Sequence, residues 1–160
     1  MTLTLIAAIG KNNELGKNND LIWRFSEDMQ FFRENTINKP ILMGRKTLES
    51  LPKLLPNRKH YVITNQDINI DGVTVFHSKE EAVNYFINTN DEVMVIGGAS
   101  IYKMFIDDAD TMLLTEIDKV DHQADTYFPK FNKDDWMSQL ISCHQEDNIT
   151  YKHMLYKRKK

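Results

Sequence analysis

Asp28 lies in the stretch DLIWRFSEDMQFF (20 to 32), a carboxylate among bulky apolar residues, four positions before Phe32. Residues four apart share a helix face, so Asp28 points where Phe32 points. An acid in apolar surroundings can orient a polar ligand and favour its protonation. An acid in a first helical turn also simply complements the helix dipole, and position alone leaves both readings open. Arg58, in LPNRK (55 to 59), follows a turn and precedes an apolar run. From there a guanidinium can grip a carboxylate through two parallel hydrogen bonds, or remain an ordinary surface arginine. Gly97-Gly98 closes another apolar run just before a helical stretch, where bare backbone lets a phosphate approach a helix N-terminus; a plain tight turn is the alternative. MGRKT (43 to 47) repeats the arrangement with Arg45, Lys46 and Thr47. It is not a P-loop, because Lys39 stands where the earlier glycine would be, and no G-x-G-x-x-G is present. Two such junctions in one sheet point to a ligand with two or three phosphates lying across the strand ends.

Short apolar runs must position these groups: LTLIAAI (3 to 9), PILMG (40 to 44), HYVIT (60 to 64), VTVFH (73 to 77), EVMVIGG (92 to 98) and TMLLTEI (111 to 117). Their continuous Val, Ile and Leu content suits strands covered on both faces. Helices are expected between them. The first is capped by Ser26, with Glu27 and Asp28 in its opening turn and Phe25, Met29 and Phe32 as its apolar stripe. Residues 45 to 51, 79 to 87 and 100 to 106 supply three more. After residue 110, MLLTEI, WMSQLISCH and TYKHMLYK read as an antiparallel extension of the sheet. GKNNELGKNND (10 to 20) reads as a long polar loop, of a length often used for lids.

The 160 residues favour one domain over 1–160. With 41% hydrophobic and 27% charged residues and a net charge of −3, soluble globular behaviour is expected, with no electrostatic partner. The basic tail 157 to 160 reads as a solvated end, so nucleic acid is not expected. The lone Cys143 allows no intrachain disulfide and suits a reducing compartment. No apolar run approaches membrane-spanning length, and the run from Leu3 has no basic segment before it, so a cytoplasmic protein without membrane partners is expected. Asn148-Ile149-Thr150 matches a glycosylation acceptor by chance in that setting.

Taken together, LIAAI (5 to 9), LGKNNDLIW (15 to 23), the helix bearing Asp28 and Phe32, NKPILMGRKTLESL (38 to 51), LPNRK (55 to 59), VIGGASIY (95 to 102), LLTEID (113 to 118) and ADTYFP (124 to 129) resemble dihydrofolate reductase of the bacterial type in order and spacing. The similarity runs from Leu3 to Pro129, with Asp134-Asp135-Trp136 as a weaker later match. The resemblance implies an α/β fold in a single domain: an eight-stranded, mostly parallel twisted sheet with an antiparallel C-terminal strand, flanked by about four helices. It implies NADPH-dependent reduction of 7,8-dihydrofolate, within one-carbon metabolism, by a monomer that antifolates target.

By the same resemblance Asp28 faces the pterin and Thr115 hydrogen-bonds near it, while Leu21 and Trp23 belong to a lid over residues 10 to 24 and Tyr102 joins the catalytic group. Ile6, Ala7, Met29, Phe32, Ser50, Leu51 and Ile96 would line the substrate pocket, and Leu55 and Arg58 would hold the benzoyl-glutamate tail. Ala8, Leu15 and Gly16 match nicotinamide contacts. Gly44, Arg45, Lys46, Thr47, Thr64 and Asn65 match one side of the cofactor site, and Gly97, Gly98, Ala99, Ser100, Ile101 and Tyr102 the other; no metal ligand is assigned. Arg45 and Thr64 are the candidates for the 2′-phosphate. The chain departs from the family pattern at Ile22, usually Pro, at Phe25-Ser26, usually Leu-Pro, along the rim Ser50 to Leu54, at Ala124 and at Ser100. Those at Ile22, Phe25 and the rim lead to an expected reduction in sensitivity to diaminopyrimidines such as trimethoprim. A dinucleotide-binding relative without activity and a pyrimidine reductase of similar architecture are the rival readings; the latter should lack Asp28 and Phe32 together with Arg58.

Overall fold

A computed structural model describes residues 1–160. In chain order the elements are β1 (Thr2–Ile9), β2 (Glu14–Lys17), β3 (Asp20–Leu21), α1 (Ser26–Thr36), β4 (Pro40–Gly44), α2 (Arg45–Ser50), β5 (Lys59–Ile63) and β6 (Val73–Phe76). They continue with α3 (Lys79–Phe86), β7 (Glu92–Gly97), α4 (Ala99–Phe105), β8 (Thr111–Ile117), β9 (Thr126–Tyr127), β10 (Trp136–Glu146) and β11 (Ile149–Arg158). Eight strands form one sheet in the order β10-β11-β8-β1-β7-β4-β5-β6. From β8 to β6 every pairing is parallel. Only β11 runs the opposite way, antiparallel to both β8 and β10, which bears out the expected sheet.

The period-2 alternation of the strands divides the core. Leu3, Leu5 and Ile9 of β1 join a larger core with Val95, Phe86, Ile101 and Phe105, under α3 and α4. Ile6 joins a smaller core with Met43, Leu48, Met94 and Leu113, against which Phe31 and Phe32 pack from α1. Thus α2 and α4 leave the adjacent strands β4 and β7 toward opposite faces. Their divergence opens a crevice at the carboxyl ends of the strands, where ligands bind in sheets of this kind.

The start of α1 departs from expectation. Ser26 is its first residue, Phe25 occupies the cap position, and no side chain caps it. Phe25 is buried, stacked on Tyr151 with centroids 4.5 Å apart, and this packing sets the entry of the chain into the helix. The Ser26 amide instead donates to the Glu146 carboxylate at 3.2 and 3.3 Å, a partner 120 residues away. Because Phe25 precedes the helix, it does not phase the stripe: Met29 is 58% exposed, and the inward face is Asp28, Phe31, Phe32, Asn35 and Thr36, at spacings of three and four.

Residues 10 to 20 are not merely a polar loop. There β2 pairs with β3 and with β9 in a small second sheet, and Asn13, Asn18 and Asn19 take positive φ at its turns, a conformation asparagine tolerates. Glu14 is buried, its two oxygens accepting from the amides of Asn12 and Asp121 at 2.7 Å each. Gly10 permits that carboxylate to come close: a Cβ there would lie 2.5 Å from Glu14 Oε1, 2.8 Å from the Trp23 ring and 2.9 Å from the Lys119 carbonyl. Gly10→Ala is therefore predicted to cost about 1–3 kcal/mol, the usual scale of overpacking, read as a lower urea midpoint. An unchanged midpoint would contradict the clamp.

Candidate active site

Strand register builds the floor of a pocket beneath α1. Ala8, Thr115 and His153 are cross-strand partners on β1, β8 and β11, and Ile6, Leu113 and Leu155 form the next row along. Above the first row stands Asp28. Thr115 Oγ1 donates to Asp28 Oδ1 at 2.5 Å, and His153 Nε2 lies 3.2 Å from the same oxygen. Both protein donors converge on Oδ1, so Oδ2 remains to accept from a ligand. Asp28 keeps 18% side-chain exposure, enough to meet a ligand while most of its surroundings are apolar. Phe31 stacks on His153 at 3.9 Å, and Phe32 and Ile96 pack beside Ile6.

At the other end of α1, Thr36 is fully buried and accepts from Arg58 Nη1 at 3.1 Å, while Arg58 Nε donates to the Pro56 carbonyl at 3.0 Å. Burial first, then the neighbouring Arg33, lower the Arg58 pKa from its ordinary value without threatening its charge. The turn that carries it is held by His60, 3% exposed: the Leu55 amide donates to Nε2 at 3.0 Å, so Nδ1 carries the hydrogen and donates to the Arg58 carbonyl at 3.1 Å. Leu55 and Leu51 pack on the smaller core beside this turn, and Ser50 donates to the Thr47 carbonyl at 2.6 Å.

The two glycine junctions abut, since Met43 pairs with Gly97. A Cβ on Gly44 would lie 3.1 Å from Ile101 Cγ1, one on Gly98 would lie 3.6 Å from Thr47 Oγ1, and Gly97 has φ +124° beside the Tyr102 ring. Ile101 is buried, Ala99 half-buried, and Lys46 and Ser100 exposed. Arg45 pairs with Glu49 at 2.5 Å along α2. Thr64 and the exposed Asn65 follow β5, with the Thr64 carbonyl accepting from His77 Nδ1 at 2.9 Å. Tyr102 is buried and donates to the Ile6 carbonyl at 2.6 Å; burial holds its hydroxyl far above the normal range, so it ties α4 to β1 rather than giving up a proton.

The small sheet lies beside β1. Leu21 is 55% exposed, and Trp23 reaches back to Gly10. Gly16 accepts from the Asp125 amide at 3.0 Å, and the Asn18 amide donates to Asp125 Oδ2 at 2.9 Å. Of the expected site residues, Ala7 and Leu15 turn toward the larger core, and Met29 toward solvent. His153, His60, Phe31, Glu14 and Asp125 belong to the site or its supports and were not singled out from the sequence. His153 falls in alternation with Tyr151 on a strand, a signal of shared face that says nothing of what lies opposite.

Residues 2–159 match the family model described as dihydrofolate reductase. The chain belongs to the dihydrofolate reductase family. It is 41% identical over 147 residues to the dihydrofolate reductase of Haemophilus influenzae, covering 92% of this chain and 91% of that one. With dihydrofolate reductase type 15 of Escherichia coli it shares 36% over 160 residues and 99% of each chain, and with the Bacillus subtilis dihydrofolate reductase 33%, covering 98% and 95%.

In this dihydrofolate reductase family member, His60 is expected to make stability fall in acid. Burial, against the opposing effect of the Arg58 carbonyl, holds the imidazole below its ordinary 6.5. The unfolded chain therefore takes up the proton first, and the His60 contribution to stability is complete above about pH 6.5 and is lost as pH falls toward the lower folded value. His60→Gln is predicted to flatten the decline of the urea midpoint below that pH; an equally steep decline in the variant would contradict this.

Proposed function

We propose that this protein reduces 7,8-dihydrofolate to 5,6,7,8-tetrahydrofolate with NADPH, by hydride transfer to pterin C6 and protonation at N5. The observation that carries the reading is the Asp28 carboxylate, anchored by Thr115 at the head of an apolar pocket that adjoins the paired glycine junctions. The residues at those junctions fit a dinucleotide. Gly44, Gly97 and Gly98 offer bare backbone, Thr47 a hydroxyl, and Arg45 and Lys46 positive charge, which together suit a diphosphate. When bound, the cofactor supplies the hydride.

What the chain does is orient and protect. Asp28 accepts from the amino group and ring N–H of the pterin edge, fixes its plane and favours its protonated form, with water delivering the proton. Ile6, Phe32 and Ile96 wall the pocket and exclude bulk solvent. Leu55 packs on the benzoyl ring, and Arg58, already aimed by Thr36 and Pro56, takes the glutamate carboxylate. Arg45 and Thr64 face the 2′-phosphate, and Leu21 and Trp23 close over the reacting rings. The exposed, unpaired Cys143 suits a reducing compartment. No helix is long and apolar enough to cross a membrane. Reduced sensitivity to diaminopyrimidine antifolates is inferred from Ile22 and the Ser50 to Leu54 rim; Phe25, buried on Tyr151, does not face the cleft.

The reading is tested by the loss of reduced-nicotinamide absorbance with dihydrofolate, run with NADPH and with NADH. Turnover that prefers NADPH is expected, and none with either cofactor would overturn it. Arg58→Leu is predicted to weaken dihydrofolate binding by about 30-fold, from a charge-assisted pair worth about 2 kcal/mol, while NADPH binding holds. Near-parental affinity for dihydrofolate would remove Arg58 from the tail.

A further inference from the structure

His153 is an imidazole at 2% exposure that the reaction described above does not use. Its ring is stacked on Phe31 of α1, and both its nitrogens have partners: Asp28 Oδ1 lies 3.2 Å from Nε2, and Ser142 Oγ lies 3.1 Å from Nδ1. Ser142 Oγ is in turn 2.8 Å from His144 Nε2. The polarity of this chain follows from its ends. An ionised carboxylate only accepts, so the hydrogen sits on His153 Nε2; Nδ1 then accepts from the Ser142 hydroxyl, whose oxygen accepts from His144 Nε2–H.

The backbone is adapted to make this chain. Leu140 pairs with Met154, so unbroken register would place Ile141 opposite His153; a bulge between Leu140 and Ser142 puts Ser142 there instead. A one-residue shift exchanges the faces of a strand, so the bulge turns the hydroxyl toward His153 and leaves Ile141 46% exposed.

We propose that His153 is a positioning residue for Asp28, held in its donating tautomer by Ser142 and His144 on the neighbouring strand. This rests on the assignment of Asp28 as the carboxylate that meets the pterin. A second donor on Oδ1, beside Thr115, fixes the rotation of the carboxylate so that Oδ2 faces the ligand. The titratable groups around the imidazole are Asp28 on α1, His144 and Glu146 on β10 and Tyr151 on its own strand. The Tyr151 hydroxyl, pushed up to about 12 by burial and then by the charges of Glu146, Asp28 and Glu27, stays neutral throughout the working range.

Two measurements test the proposal. In 15N imidazole spectra of the free protein, His153 should carry its hydrogen on Nε2, Asp28→Asn should move that signal, and Ser142→Ala should release the ring into a mixture of tautomers. Hydrogen on Nδ1, or no response to either substitution, would overturn the proposal whether or not the protein turns over dihydrofolate. In single-turnover hydride transfer, His153→Phe keeps a ring against Phe31 but deletes the donor. The step should slow several-fold and dihydrofolate binding should weaken while NADPH binding stays parental, because the carboxylate loses a partner that fixes its rotation. His153→Gln, which restores an N–H, should recover both. A purely structural role would alter stability and leave hydride transfer and dihydrofolate binding of both variants parental, and that result would overturn the proposal; a parent inactive with dihydrofolate would instead strike the functional reading, with the spectra still deciding His153.

Discussion

The Asp28 carboxylate sits between a helix and a sheet with 18% of its side chain exposed, and an ion so far removed from water costs several kcal/mol unless donors meet it. That requirement constrains much of the architecture. The donor Thr115 must stand directly below on β8, so β1 must bring a residue as small as Ala8 alongside, and β11 must bring His153 into the same row. The phase of α1 is bound by the same condition, because only a stripe of Asp28, Phe31, Phe32, Asn35 and Thr36 places the acid over Thr115 and the rings over the smaller core. Phe25 stacked on Tyr151 and the Ser26 amide on Glu146 fix the phase at its start.

One rigid helix then relates the two ends of the substrate site. From Asp28 to Thr36 is eight residues, about 12 Å of helix at 1.5 Å per residue. Thr36 holds Arg58 at that distance, which suits a ligand with a hydrogen-bonding ring at one end and a carboxylate at the other. The crevice between the diverging α2 and α4 meets this groove at β1, where Tyr102 ties the cofactor-side helix to the Ile6 carbonyl. Two ligands brought together at that point meet within a scaffold of strands, and residues 14 to 21 and 126 to 127 form a separate small sheet.

Strands and helices were legible because the sheet is covered on both faces, and its strands therefore read as continuous apolar runs. The direction of β11 followed from the change of pattern after residue 110. What escaped depends on partners remote in sequence. Ser26 looked like a cap, yet its amide is met by Glu146, and Met29 looked inward only if Phe25 is counted as part of the helix. GKNNELGKNND reads as loop because its strands are short and its buried acid, Glu14, is satisfied by amides at Asn12 and Asp121. Asp28, Thr115 and Arg58 were assigned from family motifs; the Thr115 hydroxyl donates to the Asp28 carboxylate, while Arg58 stands at the far end of α1 against Thr36. His153 lies beyond the motif-bearing part of the chain; its place beside Asp28 follows from the pairing of β11 with β8 at Thr115, and its contact with Ser142 from a bulge in β10 that no pattern announces.

The central claim is that the Asp28 charge orients and promotes protonation of the pterin. Its most direct test is single-turnover hydride transfer across pH in Asp28→Asn, with folding and NADPH binding checked separately. The account predicts a drop on the order of 10² to 10⁴ near neutral pH, with activity recovering as pH is lowered and solution supplies the protonated substrate. A variant with the parental rate and pH profile would reduce Asp28 to a helix-terminal acid and contradict the account.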